Sequence, residues 1–306
     1  MSRAVQFSEY GGTEVLRIVD VAPPTAGPGQ VRLAVRAAGV NPIDWKILAG
    51  YMREATPVTL PAGLGRDVAG VVDQVGEGVT EYAVGDEVLG TALTPSYAEF
   101  ALADPAALVA KPPTVRWPVA GTLAASGNVA WAAINRLKVA EGETLLVHAA
   151  AGGVGTFAAQ LAVARGARVI GTASERNHEQ LRSLGAIPVS YGEGLAERVR
   201  AISPQGVDAV LDASGRGEIP VSIDLAGGPA RVLTLVAFDA ADTGVQIYQG
   251  EREQAGTQGL QEIVGLIAQD RMRVPIWRTY ALEQAAAALD VSRSGHLGGK
   301  IVLLPA

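Results

Sequence analysis

The sequence has no cysteine. Disulfides, thiol nucleophiles and cysteine-ligated zinc are therefore excluded. Histidine is almost as scarce: His148, His178 and His296 are the three in 306 residues, with no metal-ligand spacing among them. Charged residues make up 18% of the chain, below the roughly one quarter usual for soluble proteins. The net charge of −6, from 31 acids against 25 bases, gives no basic face, so no nucleic-acid partner is expected. No apolar run approaches the ~20 residues needed to span a bilayer. Met1-Ser2-Arg3-Ala4 leads straight into an alternating segment rather than a long apolar stretch. Neither a signal peptide nor a membrane contact is expected, and the absent thiols are compatible with a cytoplasmic protein. Internal repeats and low-complexity segments are also missing.

What is present is a chain with a 48% hydrophobic fraction, long enough for two domains. The first third reads as strands and turns. Val31, Leu33 and Val35 alternate with Arg32, Ala34 and Arg36, the period of a strand with one buried face. Further strands are predicted over residues 68–75, 87–89 and 96–102, with glycine turns between them. Such short strands without long helices suggest a barrel-like β domain. Near Thr122 the style changes to helices alternating with short apolar strands, as in βαβ units. Strands are predicted at 145–149, 168–172, 187–190, 207–211 and 231–236, with helices between them. The fold class is thus α/β: a β-barrel domain plus a doubly wound parallel sheet. After a helix near 258–268 the pattern returns to short elements, ending in a strand at 300–304. This tail is read as rejoining the first domain. The expected division is residues 1–121 with 270–306 for one domain and 122–269 for the other.

The chemistry-bearing feature of the second domain is the turn Ala150-Ala151-Gly152-Gly153-Val154-Gly155. It follows a strand and opens an amphipathic helix. Glycines there let backbone approach a pyrophosphate, and the helix N-terminus offers free N–H groups and a positive dipole end. Ala150 replaces the first glycine of the usual G-x-G-x-x-G pattern. Cofactor choice is set about 20 residues later, at the end of the second strand. An acid there would bind a ribose 2′-hydroxyl and repel a 2′-phosphate. This chain has Ala173 in that place, followed by Ser174, Glu175, Arg176 and Asn177. Ser174 can donate a hydrogen bond and Arg176 can pair with a phosphate. The expected cofactor is NADPH. The alternative at these positions is local: Ser174 capping the next helix and Arg176 solvated in its first turn.

Several ordered motifs now carry a family likeness. They are Gly39-Val40-Asn41-Pro42-Ile43-Asp44, Gly65-Arg66-Asp67-Val68-Ala69-Gly70, Val75-Gly76-Glu77-Gly78 followed by Gly85-Asp86-Glu87-Val88, the glycine turn, and Gly299-Lys300-Ile301-Val302. Along essentially its whole length the chain resembles the medium-chain dehydrogenase/reductase superfamily, in its zinc-independent quinone oxidoreductase (zeta-crystallin-like) branch. The resemblance implies a GroES-like catalytic domain plus a Rossmann domain, with cofactor and substrate in the cleft between them. It also implies NADPH-dependent reduction of quinones or α,β-unsaturated carbonyls, by homodimers or larger oligomers. Zinc-dependent relatives carry Cys in the place of Asn41 and a His-Glu pair in the place of Arg66-Asp67, so no metal is expected here.

Without a metal, hydrogen-bond donors must stabilise the negative charge that grows on a carbonyl oxygen. The segment Asn41-Pro42-Ile43-Asp44-Trp45-Lys46 holds the best candidates. Lys46 places a cation there, Asn41 offers amide donors, and Tyr51 offers a phenol. Asp44 would orient Lys46 or Tyr51, or cap a short helix. The alternatives remain open: Asn41-Pro42 is a turn signal in its own right, Lys46 a solvated helix residue, and Tyr51 a helix terminus. Val129 stands where relatives often have a cofactor-binding Thr, which leaves the adjacent Asn128 as a substitute contact. Ala237 and Phe238 follow the strand at 231–236, at the C-terminal end of the sheet, where ligands bind in such folds. His296 and Lys300 are further cofactor candidates, with surface roles as the alternative. Trp45 and Trp131 are candidates for walls of a planar-substrate pocket.

Overall fold

The computed structural model describes residues 1–248, 257–295 and 297–305. The chain divides into two compact units. The first comprises residues 1–125, 256–268 and 275–306, and the second residues 126–255 and 269–274. Among the described residues, no helix is long and apolar enough to cross a membrane.

The first unit is built on a six-stranded sheet. Its order is Ile276–Ala281, Lys300–Leu304, Val31–Val40, Asp67–Val75, Glu87–Ala92, Phe100–Ala110. The strand Val31–Val40 also pairs with Phe100–Ala110, which curls the sheet back on itself and protects its edges. A smaller sheet joins Arg17–Val21, Ser2–Phe7 and Ala62–Gly63. The predicted alternation at 31–36 is what the strand shows. Val31, Leu33 and Val35 are buried, while Arg32 stays near the surface and forks onto Asp73 of the neighbouring strand at 2.9 Å. The segment 96–102 departs from its expected form: the strand begins only at Phe100. Ser96, Tyr97 and Ala98 are all buried. Tyr97 exchanges its backbone bonds with Leu64 and Val5 because its ring is drawn fully into the core.

The second unit carries a parallel sheet in the order Ile187–Val189, Arg168–Thr172, Thr144–His148, Ala209–Asp212, Val232–Thr234, Gln246–Ile247. Numbered from Thr144–His148, this is 3-2-1-4-5-6, the doubly wound order with its switch point between the first and fourth strands. Leu145, Leu146 and Val147 are all fully buried, as a strand covered on both faces requires. The helix Gly153–Ala164 buries Gly155 through Ala162, a run rich in small residues that lets it lie close to the sheet. It ends at Arg165, and Gly166 follows with φ +83°, the left-handed stop expected of glycine.

Candidate active site and nucleotide turn

In the first unit three strands end or begin at one place. The antiparallel pairing of Val31–Val40 with both neighbours puts the last residue of the central strand beside the first residues of the flanking ones. The chain then turns at Asn41, with Lys300 opening one flanking strand and Asp67 opening the other. All three side chains are buried. Lys300 Nζ donates to Asn41 Oδ1 at 2.6 Å, and Asn41 Nδ2 donates to Asp67 Oδ2 at 3.0 Å. The other oxygen of Asp67 accepts the Ala125 N–H at 2.7 Å.

Asn41 also begins the helix Pro42–Leu48. Its extended backbone and the proline at the first helical position set the start. Asp44, three residues on, reaches back to accept the Asn41 backbone N–H at 2.7 Å. The same carboxylate oxygen accepts the Tyr97 hydroxyl at 2.8 Å. Asp44 therefore caps its own helix and anchors Tyr97; it does not touch Lys46 or Tyr51 in these contacts.

Burial governs the ionisation of this cluster. Desolvation pushes the Asp44 carboxyl up to about 6, against its hydrogen bonds from Asn41 and Tyr97, which pull it down. Desolvation also raises Asp67, opposed by the Lys300 ammonium. It lowers Lys300, opposed by Asp67 and Asp44. The Tyr97 phenol is raised well above its ordinary value, first by burial and then by Asp44.

Lys46 and Tyr51 lie outside this cluster. Lys46 Nζ sits 5.7 Å from the centre of the Trp45 ring. Tyr51 is 71% exposed and makes a T-shaped contact with Trp45, the ring centres 6.1 Å apart. Trp45 and Tyr51 line a cavity of about 250 Å³ with Thr13, Leu48 and Arg293. The Trp45 indole N–H is buried and has no hydrogen-bond partner among the described residues.

In the second unit the strand Thr144–His148 runs into the glycine turn through Ala149, which takes φ +53°, an uncommon conformation for a residue with a side chain. Ala151 is buried; Gly152, Gly153 and Val154 are at least partly open. A Cβ at Gly155 would run into the Ala149 carbonyl oxygen, and one at Gly152 would stand 3.1 Å from the same atom. The turn thus needs glycine at 155 for helix–strand packing and gains an unobstructed backbone at 152. No side chain caps the helix Gly153–Ala164, so its first N–H groups keep their capacity for an anion. These features fit a dinucleotide pyrophosphate.

At the end of the second strand, Ser174 precedes a 3₁₀ turn, Glu175–Asn177. Its side chain does not cap that turn; Ser174 Oγ instead accepts from Asn177 Nδ2 at 3.3 Å. Arg176 is exposed. Asn128 lies on the helix Ala124–Arg136 and is partly exposed. The Ala237 N–H donates to Thr234 Oγ1 at 2.9 Å, and Phe238 is 61% exposed at the start of the next 3₁₀ turn. His296 lies outside the described residues.

Two features of this unit escaped the sequence reading. One is a cavity of about 660 Å³ lined by Tyr191, Leu195, Arg216 and Glu218, with the Arg216 guanidinium 5.0 Å from the Tyr191 ring centre. The other is His148, fully buried just before the glycine turn. Its Nε2 lies 2.9 Å from Ser222 Oγ, whose own hydroxyl donates to the Glu218 carbonyl at 2.6 Å. Ser222 must then accept, so Nε2 carries the proton. Nδ1 faces Thr172 Oγ1 at 3.5 Å, and that oxygen accepts the Ala149 N–H at 3.1 Å. Burial pushes the imidazole pKa down, opposed by Asp212 and Glu218.

Residues 27–124 match the family described as alcohol dehydrogenase GroES-like domain, and residues 184–303 match zinc-binding dehydrogenase. A zinc ion does not fit the donor set here. Asn41 is bonded to the Lys300 ammonium and to Asp67, whose other oxygen holds the Ala125 N–H, and among the described residues no group of three His, Cys, Asp or Glu side chains could hold a metal. Quinone oxidoreductase of Pseudomonas aeruginosa is 32% identical over the full length of both chains. The solved quinone oxidoreductase of Coxiella burnetii is 31% identical, covers 100% of this chain and 99% of its own, and superposes with a TM-score of 0.87. The mycobacterial protein Rv1454c, solved in complex with NADPH, is 29% identical over the full length of both chains, also with a TM-score of 0.87. Barrel, doubly wound sheet and full-length relatives agree: the chain belongs to the quinone oxidoreductase branch of the medium-chain dehydrogenase/reductase superfamily, and is an oxidoreductase.

Proposed function

We propose that the chain is an NADPH-dependent, metal-free reductase of quinones or α,β-unsaturated carbonyls. The observation that carries this reading is the uncapped glycine turn together with Ala173, rather than an acid, at the end of the second strand, followed by Ser174 and Arg176. The NADPH complex of the mycobacterial relative supports the same choice.

In this reading Ala151, Gly152, Gly153 and Val154 hold the pyrophosphate through backbone N–H groups. Ser174, Arg176 and Asn177 take the 2′-phosphate. Asn128, Ala237 and Phe238 serve the nicotinamide half, and the bound dinucleotide supplies the hydride. The remaining chemistry falls to side chains of the first unit. Asn41, held rigidly between Lys300 and Asp67, offers an amide donor to the substrate oxygen. Lys46 and Tyr51 contribute a cation and a phenol to the same developing charge. Asp44 acts one step back, fixing the start of the helix that carries Lys46.

The test is oxidation of NADPH and NADH in parallel with 9,10-phenanthrenequinone and a simple enone, by the wild-type chain and Arg176→Ala. Wild type should oxidise NADPH steadily. Arg176→Ala should weaken NADPH about tenfold to a hundredfold, as loss of a charge-assisted bond implies, and leave NADH unchanged. Equal losses with both cofactors would remove Arg176 from the phosphate site. NADPH binding without turnover of any acceptor would replace the reductase by a non-enzymatic NADPH-binding protein.

A further inference from the structure

The amide of Asn41 has only one workable orientation. Lys300 Nζ, at 2.6 Å, can only donate, so the atom facing it is Oδ1. Asp67 Oδ2, at 3.0 Å, accepts, so the atom facing it is Nδ2. Turning the amide over would set N–H against ammonium and carbonyl oxygen against carboxylate. The neighbouring groups are already engaged. Asp67 Oδ1 holds the Ala125 N–H, and Asp44 holds the Asn41 backbone N–H and the Tyr97 hydroxyl. Among the described residues, the second N–H of Asn41 has no acceptor.

We infer that Lys300 is the positioning residue of this site: it turns the Asn41 side chain into a donor with one N–H left over for the oxygen of a carbonyl or quinone substrate. Lys300 acts on the substrate through Asn41. An ammonium on Oδ1 draws electron density from the amide and strengthens its N–H as a donor, more so where little water competes. Asp67 holds the other N–H and keeps the plane of the amide from rotating. The cation that a metal would supply elsewhere is here a lysine on the final strand, communicating through one amide group. This inference rests on the reductase reading for its substrate, but not for the orientation of the amide.

The test uses the full chain labelled with [15N]asparagine. Asn41, Asn128, Asn135 and Asn177 are its asparagines, so the side-chain amide spectrum is simple, and Asn41→Ala identifies the Asn41 pair. Lys300→Met should move the Asn41 pair and leave the other three in place. With NADPH and 9,10-phenanthrenequinone it should lower kcat on the order of a hundredfold, the scale of losing an oxyanion donor. Lys300→Gln, which keeps a neutral donor to Oδ1, should restore part of both. A folded Lys300→Met with an unmoved Asn41 pair, or with a moved pair and full kcat, overturns the inference. If Lys300→Met does not fold, Lys300→Met with Asp67→Asn removes both charges and carries the same readouts. Should wild type bind NADPH yet leave the quinone untouched, the reductase reading fails, while the amide spectrum still decides the orientation.

Discussion

Each unit buries a polar network beside its candidate site, and the two are built from opposite materials. Beneath the helix Pro42–Leu48 the groups are ions: Asp44, Asp67 and Lys300. Behind the glycine turn the groups in direct contact are neutral, His148, Thr172 and Ser222, with the acids Asp212 and Glu218 acting on His148 from further off. In a low-dielectric interior an ion stays only while its counter-ion does, whereas a neutral chain of donors and acceptors needs only correct tautomers. In the proposed function the ionic network would place charge near the substrate oxygen; the neutral groups hold the backbone turn at Ala149 in an uncommon conformation.

The largest expected effect comes from breaking the ionic network on one side. Asp67→Ala leaves Lys300 without its main counter-ion and strands donors from Asn41 and Ala125. It should cost about 3–5 kcal/mol in urea unfolding. A loss no greater than that of a substitution at His148 would erase the contrast.

The second effect is a pH dependence of opposite sign in the two networks. The Asp44 carboxyl is raised from 3.8 to about 6 on folding. Its contribution is therefore fully present below the unfolded value and is lost as pH rises through about 6, amounting to about 3 kcal/mol. The stability of wild type relative to Asp44→Asn should fall by that amount between about pH 4 and 7; a flat difference would show that Asp44 is not desolvated. His148 is shifted down, so its contribution is present above its ordinary value and is lost as pH falls through the folded one.

The smallest effect is at His148 itself. His148→Phe strands the hydroxyls of Ser222 and Thr172 and should cost about 1–3 kcal/mol. In wild type, 15N spectra should report a neutral ring protonated at Nε2. A charged ring at pH 6, or the Nδ1–H tautomer, would break the proposed chain of donors from His148 to Ser222 and Glu218.

The parts of this molecule that repeat along the chain were legible in the sequence. The strand at 168–172 and the helix after the glycine turn follow directly from period and punctuation, because local pattern dictates local structure there. The junction of Asn41, Asp67 and Lys300 has no such signal. Its members open or close three strands, and only the pairing of those strands brings them together. Asp67 was visible just as the occupant of a metal ligand's place, and Lys300 as a cofactor candidate near the tail. Tyr97 read as one residue of an alternating strand, since nothing local marks a tyrosine whose hydroxyl meets a carboxylate 53 residues away. Tyr191 and Arg216 were missed for the same reason: they come from two different loops.

The bond between Lys300 and Asn41 spans 259 residues. Asp44 and Asp67 lie within 26 residues of Asn41, but the Lys300 cation follows the whole parallel-sheet unit in the sequence. A growing chain on the ribosome therefore carries Asn41 and Asp67 as an unfinished junction, an amide facing a carboxylate with no counter-charge. The Ala38–Val40 end of the central strand gains its partner on that side only when Lys300–Leu304 docks. Assembly of this junction therefore depends on one contact of long sequence separation.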